Sequence, residues 1–215
     1  MRVIVFAKAP VPGAAKTRLI PALGADGAAR LHARLVERAL ETACAAHLGP
    51  VELCCAPDRA HPFFAACAAR FGAVLTDQGA GDLGERMHRA LAAKLPAVLI
   101  GADCPAMTAD YLREAAAALA AGLDVALGPA EDGGYVLVAA NRIRPDAFAR
   151  IGWGGPDVMA EQRSRLREGS WRWRELAPLW DVDRPEDLAR IRSGIPGVAA
   201  LLRGLRGEGD GESAR

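Results

Sequence analysis

The sequence predicts a single α/β domain in which helices cover both faces of a mostly parallel central sheet. The chain has 215 residues, 51% of them hydrophobic, which suits one domain with a sizeable core. Short apolar runs alternate with helix-length segments through its first two thirds, as in βαβ units with right-handed crossovers. The run at residues 97–100 is apolar without alternation, which is typical of a central strand buried on both faces.

Composition narrows the class of protein further. The formal net charge of +1 gives no electrostatic reason to expect nucleic acid or an anionic membrane as a partner. The five cysteines are odd in number and lack C-x-x-C spacing, which disfavours a zinc site or a disulfide framework. The apolar N-terminal run is too short for a signal peptide, and no run reaches membrane-span length. We therefore expect a cytoplasmic protein without membrane insertion.

The first strand, residues 2–7, leads into a loop with an unusual choice of cations. The chain has only three lysines, and Lys8 and Lys16 both fall in this loop, followed by Arg18. Lysine binds phosphate as a point charge, arginine as a bidentate fork, and loop amides near Gly13 can also face an anion. A loop after the first strand of an α/β sheet is a usual phosphate-binding position. The alternative is a basic surface loop.

Residues 25–77 continue the alternation of helices and strands. Apolar spacing predicts a helix over 25–47 with Asp26 as its cap, then a strand over 51–56. A second helix ends near Phe71, and residues 73–77 form the third strand. His32 lies on the first helix, where we expect it at the surface or in an interface rather than as a ligand.

A glycine-rich loop, residues 78–84, precedes the next helix, residues 83–94. Asp82 and Glu85 have the three-residue spacing of a capping box. The same helix start could present the amide of Gly84 and the side chain of Arg86 to a nucleotide. The two interpretations are equally compatible with the sequence, because a cap needs the same residues.

The buried strand at residues 97–100 runs into Gly101, Ala102 and Asp103. Ligands of open α/β sheets bind at the carboxyl ends of the strands, and small residues let them approach the backbone. One carboxylate at that position is well placed to hold a divalent cation through oxygen. The alternative is an aspartate that turns the chain into the next helix.

A helix over 108–121 and a strand over 124–127 lead to a second polar loop, followed by a strand over 136–140. Glu131 and Asp132 bring two acids to this loop, Asp132 as a candidate catalytic acid, and Tyr135 adds a hydroxyl. Gly133 and Gly134 permit close approach of a ligand to the backbone. A simple hairpin is the alternative, although it would not require the acids.

The final third carries the remaining candidates. Trp153 lies between glycines, which predicts an exposed aromatic platform for stacking or for an acceptor. A helix over 156–167, a strand over 171–174 and a reversed strand are expected here. Asp183 and Glu186 have capping-box spacing at the start of the last helix. We place the domain at residues 1–202 and a disordered tail at 203–215, which is rich in Gly, Glu and Asp.

Six motifs occur together and in order: KAPVPGAAKTRL (8–19), GDLGERM (81–87), IGADCP (100–105), EDGGY (131–135), WGGPDV (153–158) and DVDRPEDL (181–188). With them the chain resembles, over residues 1–195, the bacterial arsenosugar-biosynthesis-associated glycosyltransferase family of the nucleotide-diphospho-sugar transferase superfamily. The resemblance implies a single Rossmann-like domain of glycosyltransferase-A type, a nucleotide or nucleotide-sugar donor, and Mg²⁺ or Mn²⁺. It also implies that Lys8, Lys16 and Arg18 meet the donor phosphates and that Asp103 and Asp183 contact the metal.

The sequence departs from the wider pattern in two places. A D-x-D motif would need an acid at position 101 or 105, where this chain has Gly101 and Pro105, and Arg184 replaces a usual threonine. The first loop is also similar to that of phospholactate guanylyltransferases. The missing D-x-D favours nucleotidyl transfer, whereas the overall family likeness favours glycosyl transfer. We expect glycosyl transfer from a nucleotide-diphospho-sugar to a small-molecule acceptor, with nucleotidyl transfer as the alternative. A non-catalytic nucleotide-binding protein is the third interpretation.

Overall fold

The computed structural model describes residues 1–193, 199–203 and 205. Seven strands form one sheet in the order β3-β2-β1-β4-β6-β5-β7. The strands are β1 (Arg2–Lys8), β2 (Val51–Ala56), β3 (Val74–Asp77), β4 (Ala97–Gly101), β5 (Val125–Pro129), β6 (Tyr135–Ala140) and β7 (Trp173–Glu175). The helices are α1 (Ile20–Ala45), α2 (Pro62–Phe71), α3 (Leu83–Ala92), α4 (Ala109–Ala120), α5 (Val158–Glu168) and α6 (Asp187–Ser193), with short 3₁₀ turns at Thr17–Leu19, Pro145–Phe148 and Ala199–Leu202.

The sheet is mostly parallel, as the sequence predicts. β1 pairs in parallel with β2 and β4, β2 with β3, and β5 with β7. β6 is antiparallel to both of its neighbours, β4 and β5. The reversed strand is therefore β6, and our expectation of one in the final third is wrong, because the strand there, β7, runs parallel to β5.

Helices pack on both faces of the sheet, which confirms the predicted layering. On one face, α1, α2 and α4 contribute side chains such as Leu40, Phe64 and Leu112 to the core. On the other face, α3 and α5 contribute Met87 and Leu166, among others. Parallel strands covered in this way place their carboxyl ends at one exposed edge, which is where loops can build a site.

A third apolar cluster packs the segment around residues 182–191 against helix α1 near the start of the chain. Val182, Leu188 and Ile191 pack against Leu31 and Leu35 of α1. This packing holds the segment around residue 182 beside the loop between β1 and α1. The two stretches are about 165 residues apart in sequence, so only the tertiary fold brings them together.

Helix α1 begins earlier than predicted, at Ile20, and is kinked at Gly24, whose φ is 70°. Glycine tolerates this left-handed conformation, so the helical turns on either side continue across it. Helix α3 begins as expected, because Asp82 and Glu85 form the complete capping box.

The predicted tail lies mostly outside the described residues. Of residues 203–215 the structure describes only Arg203 and Leu205, and Leu205 is buried against α1. The domain boundary at residue 202 stays a prediction. Within the described ranges, no helix is both long and apolar enough to cross a membrane. The cytoplasmic location likewise stays a prediction.

Candidate active site

A cavity of about 520 Å³ opens at the carboxyl ends of β1 and β4. Lys8 at the end of β1 and residues 14–18 of the segment that follows line its wall. Gly101 at the end of β4 and the next two residues, Ala102 and Asp103, line the other side. Asp183 closes the cavity from the C-terminal segment. The structure therefore brings together the cations of the first loop and the two acids that the sequence analysis proposed as metal contacts.

Lys16 lies at the centre of this cluster. Its Nζ is 2.9 Å from Asp103 Oδ1 and 2.7 Å from Asp183 Oδ1, and it donates to the Val182 carbonyl at 2.6 Å. The side chain is only 5% exposed. Burial alone would lower the pKa of Lys16, but the two carboxylates outweigh it and the pKa is raised. Lys16 is therefore charged. Its backbone also has a left-handed φ of 51°, which is uncommon for a non-glycine residue.

Asp103 presents one enclosed and one accessible oxygen. Oδ1 is buried against Lys16, yet the side chain as a whole is 43% exposed, so the exposed part of the carboxylate faces the cavity. Burial would raise the pKa of Asp103, but Lys16 and then His32 more than compensate and hold it well below its usual value. The carboxylate is therefore ionised. The backbone carbonyl of Asp103 also accepts from the Val182 amide at 2.9 Å, which ties the two walls together.

His32 supports Asp103 from beneath the cavity. It is 5% exposed; Nε2 lies 3.0 Å from the Lys8 carbonyl oxygen and Nδ1 lies 3.6 Å from Asp103 Oδ1. Our expectation of a surface or interface histidine is wrong, because its position on α1 faces the sheet and the side chain is buried within the chain. His32 instead connects the end of β1 to the end of β4.

Asp183 is held by cations rather than by a helix end. Its Oδ1 contacts Lys16, and its Oδ2 is 3.7 Å from an Arg18 guanidinium nitrogen. The backbone amides of Asp183 and Arg184 donate instead to Asp187 Oδ2, at 2.9 and 2.7 Å. The predicted Asp183–Glu186 capping box is therefore wrong. The neighbouring Asp181 is half-buried, and burial followed by nearby carboxylates raises its pKa to about 6.

A second cavity of about 310 Å³ adjoins the first. The two share Phe6, Arg18, Leu83, Gly101 and Asp183, so an occupant of one would touch an occupant of the other along this common wall. The remaining wall of the second cavity is largely apolar and aromatic and consists of Met87, Leu99, Asp132, Gly134, Tyr135, Val136, Leu137, Val138, Trp153, Gly154, Gly155 and Val158. The predicted residues Asp132, Gly134, Tyr135 and Trp153 thus belong to this second cavity.

Trp153 is packed against its surroundings rather than free. Its ring meets Tyr135 edge-on, with centroids 6.2 Å apart at 82°. A Cβ on Gly84 would lie 2.6 Å from the indole, so Gly84 is needed for this packing. The Tyr135 hydroxyl donates to Gln162 Oε1 at 3.3 Å, and burial raises its pKa well above the usual value, so it stays protonated. Tyr135 is therefore a hydrogen-bonding group here and not a base.

Four candidates do not line either cavity: Gly84, Gly13, Arg86 and Gly133. Gly13 has a φ of 80° in the first loop, and no atom lies within 4 Å of where its Cβ would be. Arg86 donates to the Gly81 carbonyl at 2.9 Å and so stabilises its own loop. Gly133 lies where a Cβ would be 1.9 Å from the Pro156 carbonyl oxygen, so it serves close backbone packing. Their roles toward a ligand stay predictions.

The carboxylates suit a divalent cation that also binds phosphate. Among the described residues, no cluster of three or more His, Cys, Asp or Glu side chains is arranged around one point. Asp103 and Asp183 do converge, each using Oδ1 on Lys16. Mg²⁺ sites commonly use one or two carboxylates and complete their coordination with water and substrate phosphates. The donor set therefore fits Mg²⁺ or Mn²⁺ bound together with a phosphorylated ligand.

The fold is shared with nucleotide-dependent transferases. A crystal structure from Desulfovibrio desulfuricans G20, provisionally named a nucleotide-diphospho-sugar transferase, is 30% identical, with a TM-score of 0.81 over 94% of this chain and 93% of that one. A nucleotidyl transferase from Methanothermobacter thermautotroptrophicus is 15% identical (TM-score 0.59; 94% and 98% covered). Glucosyl-3-phosphoglycerate synthase from Mycobacterium tuberculosis, solved with Mn²⁺ and UDP, is 13% identical (TM-score 0.53; 96% and 79%).

The fold class is thus that of the nucleotide-diphospho-sugar transferases. The family model described as DUF2064, uncharacterized protein conserved in bacteria, matches residues 39–155, and the chain belongs to this family. No curated protein sequence matches the chain. The resemblance found in the sequence is confirmed, and the similar structures include both glycosyl- and nucleotidyltransferases.

Proposed function

We propose that the protein is a divalent-metal-dependent glycosyltransferase that uses a nucleotide-diphospho-sugar and a small-molecule acceptor. The observation that carries the proposal is the meeting of Asp103, Asp183 and Lys16 at the carboxyl edge of the sheet. Two ionisable acids and a buried ammonium are brought together there from distant parts of the chain. The 30%-identical structure supports the same donor class.

The first cavity would hold the donor. Lys8, Lys16 and Arg18 line it, so a diphosphate would meet three cations. Arg18 is 66% exposed and can turn toward a ligand, whereas Lys16 lies in the floor of the cavity, paired with Asp103 and Asp183. Preorganised charges of this kind stabilise the negative charge that develops on the leaving diphosphate.

Asp103 and Asp183 would hold Mg²⁺ or Mn²⁺ against the donor. When bound, such an ion neutralises charge on the phosphates and on the departing oxygen. For the carboxylates to bind it, Lys16 would shift from them toward the phosphates, so that each charge keeps an opposite partner.

The second cavity would hold the acceptor beside the transferred sugar. An acceptor hydroxyl attacks the anomeric carbon, the bond from that carbon to the diphosphate oxygen breaks, and the nucleoside diphosphate leaves. The hydroxyl proton must go to a base, and Asp132 is an exposed carboxylate on this wall. Trp153 and Tyr135 would form an aromatic side of the pocket on which an acceptor packs.

Nucleotidyl transfer is the second candidate, and one observation favours it. Asp103 has no second acid at position 101 or 105, and its partner acid, Asp183, comes from a different segment. In this reaction an acceptor phosphate attacks the α-phosphorus and pyrophosphate leaves. The released product therefore distinguishes the two reactions.

The test combines binding with product analysis. Nucleotides and nucleotide sugars are titrated calorimetrically with and without Mg²⁺ into the wild type, Asp103→Asn and Asp183→Asn. We expect binding that depends on Mg²⁺ in the wild type and loses this dependence in both variants. Asp110→Asn, which changes a side chain that is 90% exposed on α4, is the matched control.

Each outcome has a defined meaning. Release of a nucleoside diphosphate supports glycosyl transfer, and release of pyrophosphate supports nucleotidyl transfer. Binding without turnover of any donor and acceptor pair supports the non-catalytic interpretation. Unchanged Mg²⁺-dependent binding in both variants would overturn the assignment of the metal contacts.

A further inference from the structure

The second cavity has an apolar floor, because it opens onto the hydrophobic core. Phe6, Met87 and Leu99 line it and also belong to the apolar cluster packed under α3 and α5, where each is at most 9% exposed. Val158, the first residue of α5, and the ring of Trp153 add to the wall. The body of an occupant would therefore meet mainly carbon atoms.

The polar atoms of this inner wall are already paired or enclosed. The Tyr135 hydroxyl donates to Gln162 Oε1 at 3.3 Å. Trp153 Nε1 is enclosed by protein atoms and does not face an occupant directly. An acceptor with hydroxyls all around it would leave several of them without partners here, and a polar group that loses water without gaining a hydrogen bond costs free energy. The inner wall therefore favours an apolar body.

The volume of the cavity limits the size of that body. The cavity measures about 310 Å³. A cavity of about 150 Å³ lined by aliphatic and aromatic side chains binds one benzene ring. The second cavity therefore has room for a body of one or two rings with a short polar end.

The charged groups lie at the mouth, and most of them are negative. Arg18 is the single cation among the described residues that line this cavity, beside the carboxylates of Asp132 and Asp183. Arg18 is already 3.7 Å from Asp183 Oδ2. Asp132 is exposed, accepts from the Gly134 amide at 3.0 Å, and forms no ion pair within the part of the chain that the structure describes. An acceptor therefore enters beside an anion that no cation neutralises.

A phosphorylated acceptor would bring a second anion to this position. In the proposed function Arg18 meets the donor phosphates and Asp183 meets the metal ion, so neither remains to balance an acceptor phosphate. Like charges repel more strongly in a cavity that partly excludes water than in bulk water. A neutral hydroxyl, in contrast, can donate a hydrogen bond to Asp132.

We propose that the acceptor is a neutral alcohol with an apolar body of one or two rings, and that Asp132 excludes phosphorylated acceptors. This rests on the proposed function, because it assumes that the donor occupies the first cavity. The apolar body packs against Trp153, Met87 and Leu99, and the hydroxyl lies at the mouth, beside Asp132 and next to the donor. A neutral acceptor favours glycosyl over nucleotidyl transfer, because the acceptor of the second reaction carries the attacking phosphate.

A binding comparison tests this without any variant. The probes 2-phenylethanol, 2-phenylethyl phosphate, glycerol and glycerol 3-phosphate vary the body and the charge independently. Their dissociation constants are measured by ligand-observed NMR with Mg²⁺ and a saturating concentration of the best-binding nucleotide, so that phosphorylated probes cannot occupy the first cavity. We expect 2-phenylethanol to bind at least about tenfold more tightly than each of the others, because it alone combines apolar burial with the absence of charge repulsion.

Variants locate the probe and test the role of charge. Val158→Thr replaces a methyl group of the wall by a hydroxyl and should weaken 2-phenylethanol binding about three- to tenfold. Val51→Thr is the matched control, because Val51 is 8% exposed against 5% for Val158 but lines neither cavity. Asp132→Asn should bring the affinity for 2-phenylethyl phosphate to within about threefold of that for 2-phenylethanol. Asp110→Asn, on α4, should leave the difference unchanged.

The outcomes separate this proposal from the proposed function. Wild-type binding of 2-phenylethyl phosphate as tight as that of 2-phenylethanol would overturn the acceptor class, as would a loss in Val158→Thr no larger than that in Val51→Thr. If nucleotide sugars bind with Mg²⁺ and a nucleoside diphosphate is released with glycerol or a phosphorylated probe but not with 2-phenylethanol, only the acceptor class fails. If no nucleotide or nucleotide sugar binds the wild type with Mg²⁺, the proposed function fails and the acceptor class with it.

Discussion

Asp181 is expected to destabilise the metal-free protein at neutral pH. It is half-buried, and burial, Asp132 and Asp183 together raise its pKa from 3.8 to about 6, with only Lys16 and its own backbone acting in the opposite direction. Replacing it by asparagine keeps its size and removes the charge. We therefore expect Asp181→Asn to be more stable than the wild type wherever the wild-type carboxylate is ionised.

The sign follows from which state binds the proton. Because the folded pKa is the higher one, the folded protein keeps a proton that the unfolded chain has lost. The contribution of protonated Asp181 to the free energy of unfolding is fully present below pH 3.8 and is lost as the pH rises through about 6. Each unit of difference between the folded and unfolded pKa corresponds to about 1.4 kcal/mol. Ionised Asp181 therefore lowers the free energy of unfolding by at most about 3 kcal/mol.

The assay is urea denaturation in EDTA at several pH values from 4 to 8, a range of roughly two units either side of the folded pKa. The free energy of unfolding of Asp181→Asn should exceed that of the wild type only slightly at about pH 4 and by about 1–3 kcal/mol at about pH 8. Asp110→Asn should show no such rise. A gain that is absent at the alkaline end, or that is equal at all pH values, would refute the electrostatic reasoning.

Two further predictions concern the first loop and the loop after β5. Lys16→Met and Arg18→Met should each weaken Mg²⁺-dependent nucleotide binding, measured by calorimetry, about ten- to hundredfold, because a charged hydrogen bond contributes about 1.5–3 kcal/mol. Unchanged affinities would indicate that this is a basic surface loop. Gly133→Ala should cost more than about 2 kcal/mol in urea denaturation, because its Cβ would strike the Pro156 carbonyl. Gly154→Ala is its control, with a φ of 85° but open space, and an equal cost in both would exclude the clash as the cause.

Much of the fold could be predicted because its signals are local. Buried parallel strands produce continuous apolar runs, and β1, β2 and β4 lie within one or two residues of their predicted bounds. The predicted start of α1, at residue 25 with Asp26 as the cap, is five residues late, because the helix begins at Ile20 and continues across the kink at Gly24. The antiparallel pairing of β6 with β4 has no local signal, since it depends on where the chain returns to the sheet.

The site was predictable where residue type and strand position agreed. Lys16, Arg18 and Asp103 each follow a strand that ends at the ligand edge, and the structure brings them to one cavity with Asp183. Asp183 has the right spacing for a cap, but the nearby ammonium binds its carboxylate and Asp187 takes the backbone amides instead.

Sequence analysis missed two buried polar side chains that line the first cavity, His32 and Gln78. His32 lies four residues after Ala28 and three before Leu35, both of which are buried, so helical spacing alone turns it inward. That signal was available, because a buried histidine needs polar partners. Gln78 has no equivalent signal, since its partners are the carbonyls of β1 and β2 and appear only once those strands are adjacent.

The position of Lys16 links the two ligands that the site is proposed to bind. Without them, one ammonium serves two carboxylates, so a divalent cation alone must bind beside a positive charge that already occupies Oδ1 of both acids. A phosphate alone must draw Lys16 away from Asp103 and Asp183 and leave them facing one another. With both present, the cation would take the carboxylates and the phosphate would take the ammonium. Each ligand would therefore remove an electrostatic cost of binding the other, and this exchange of partners would give a reason for a lysine buried between two acids at the mouth of the sheet.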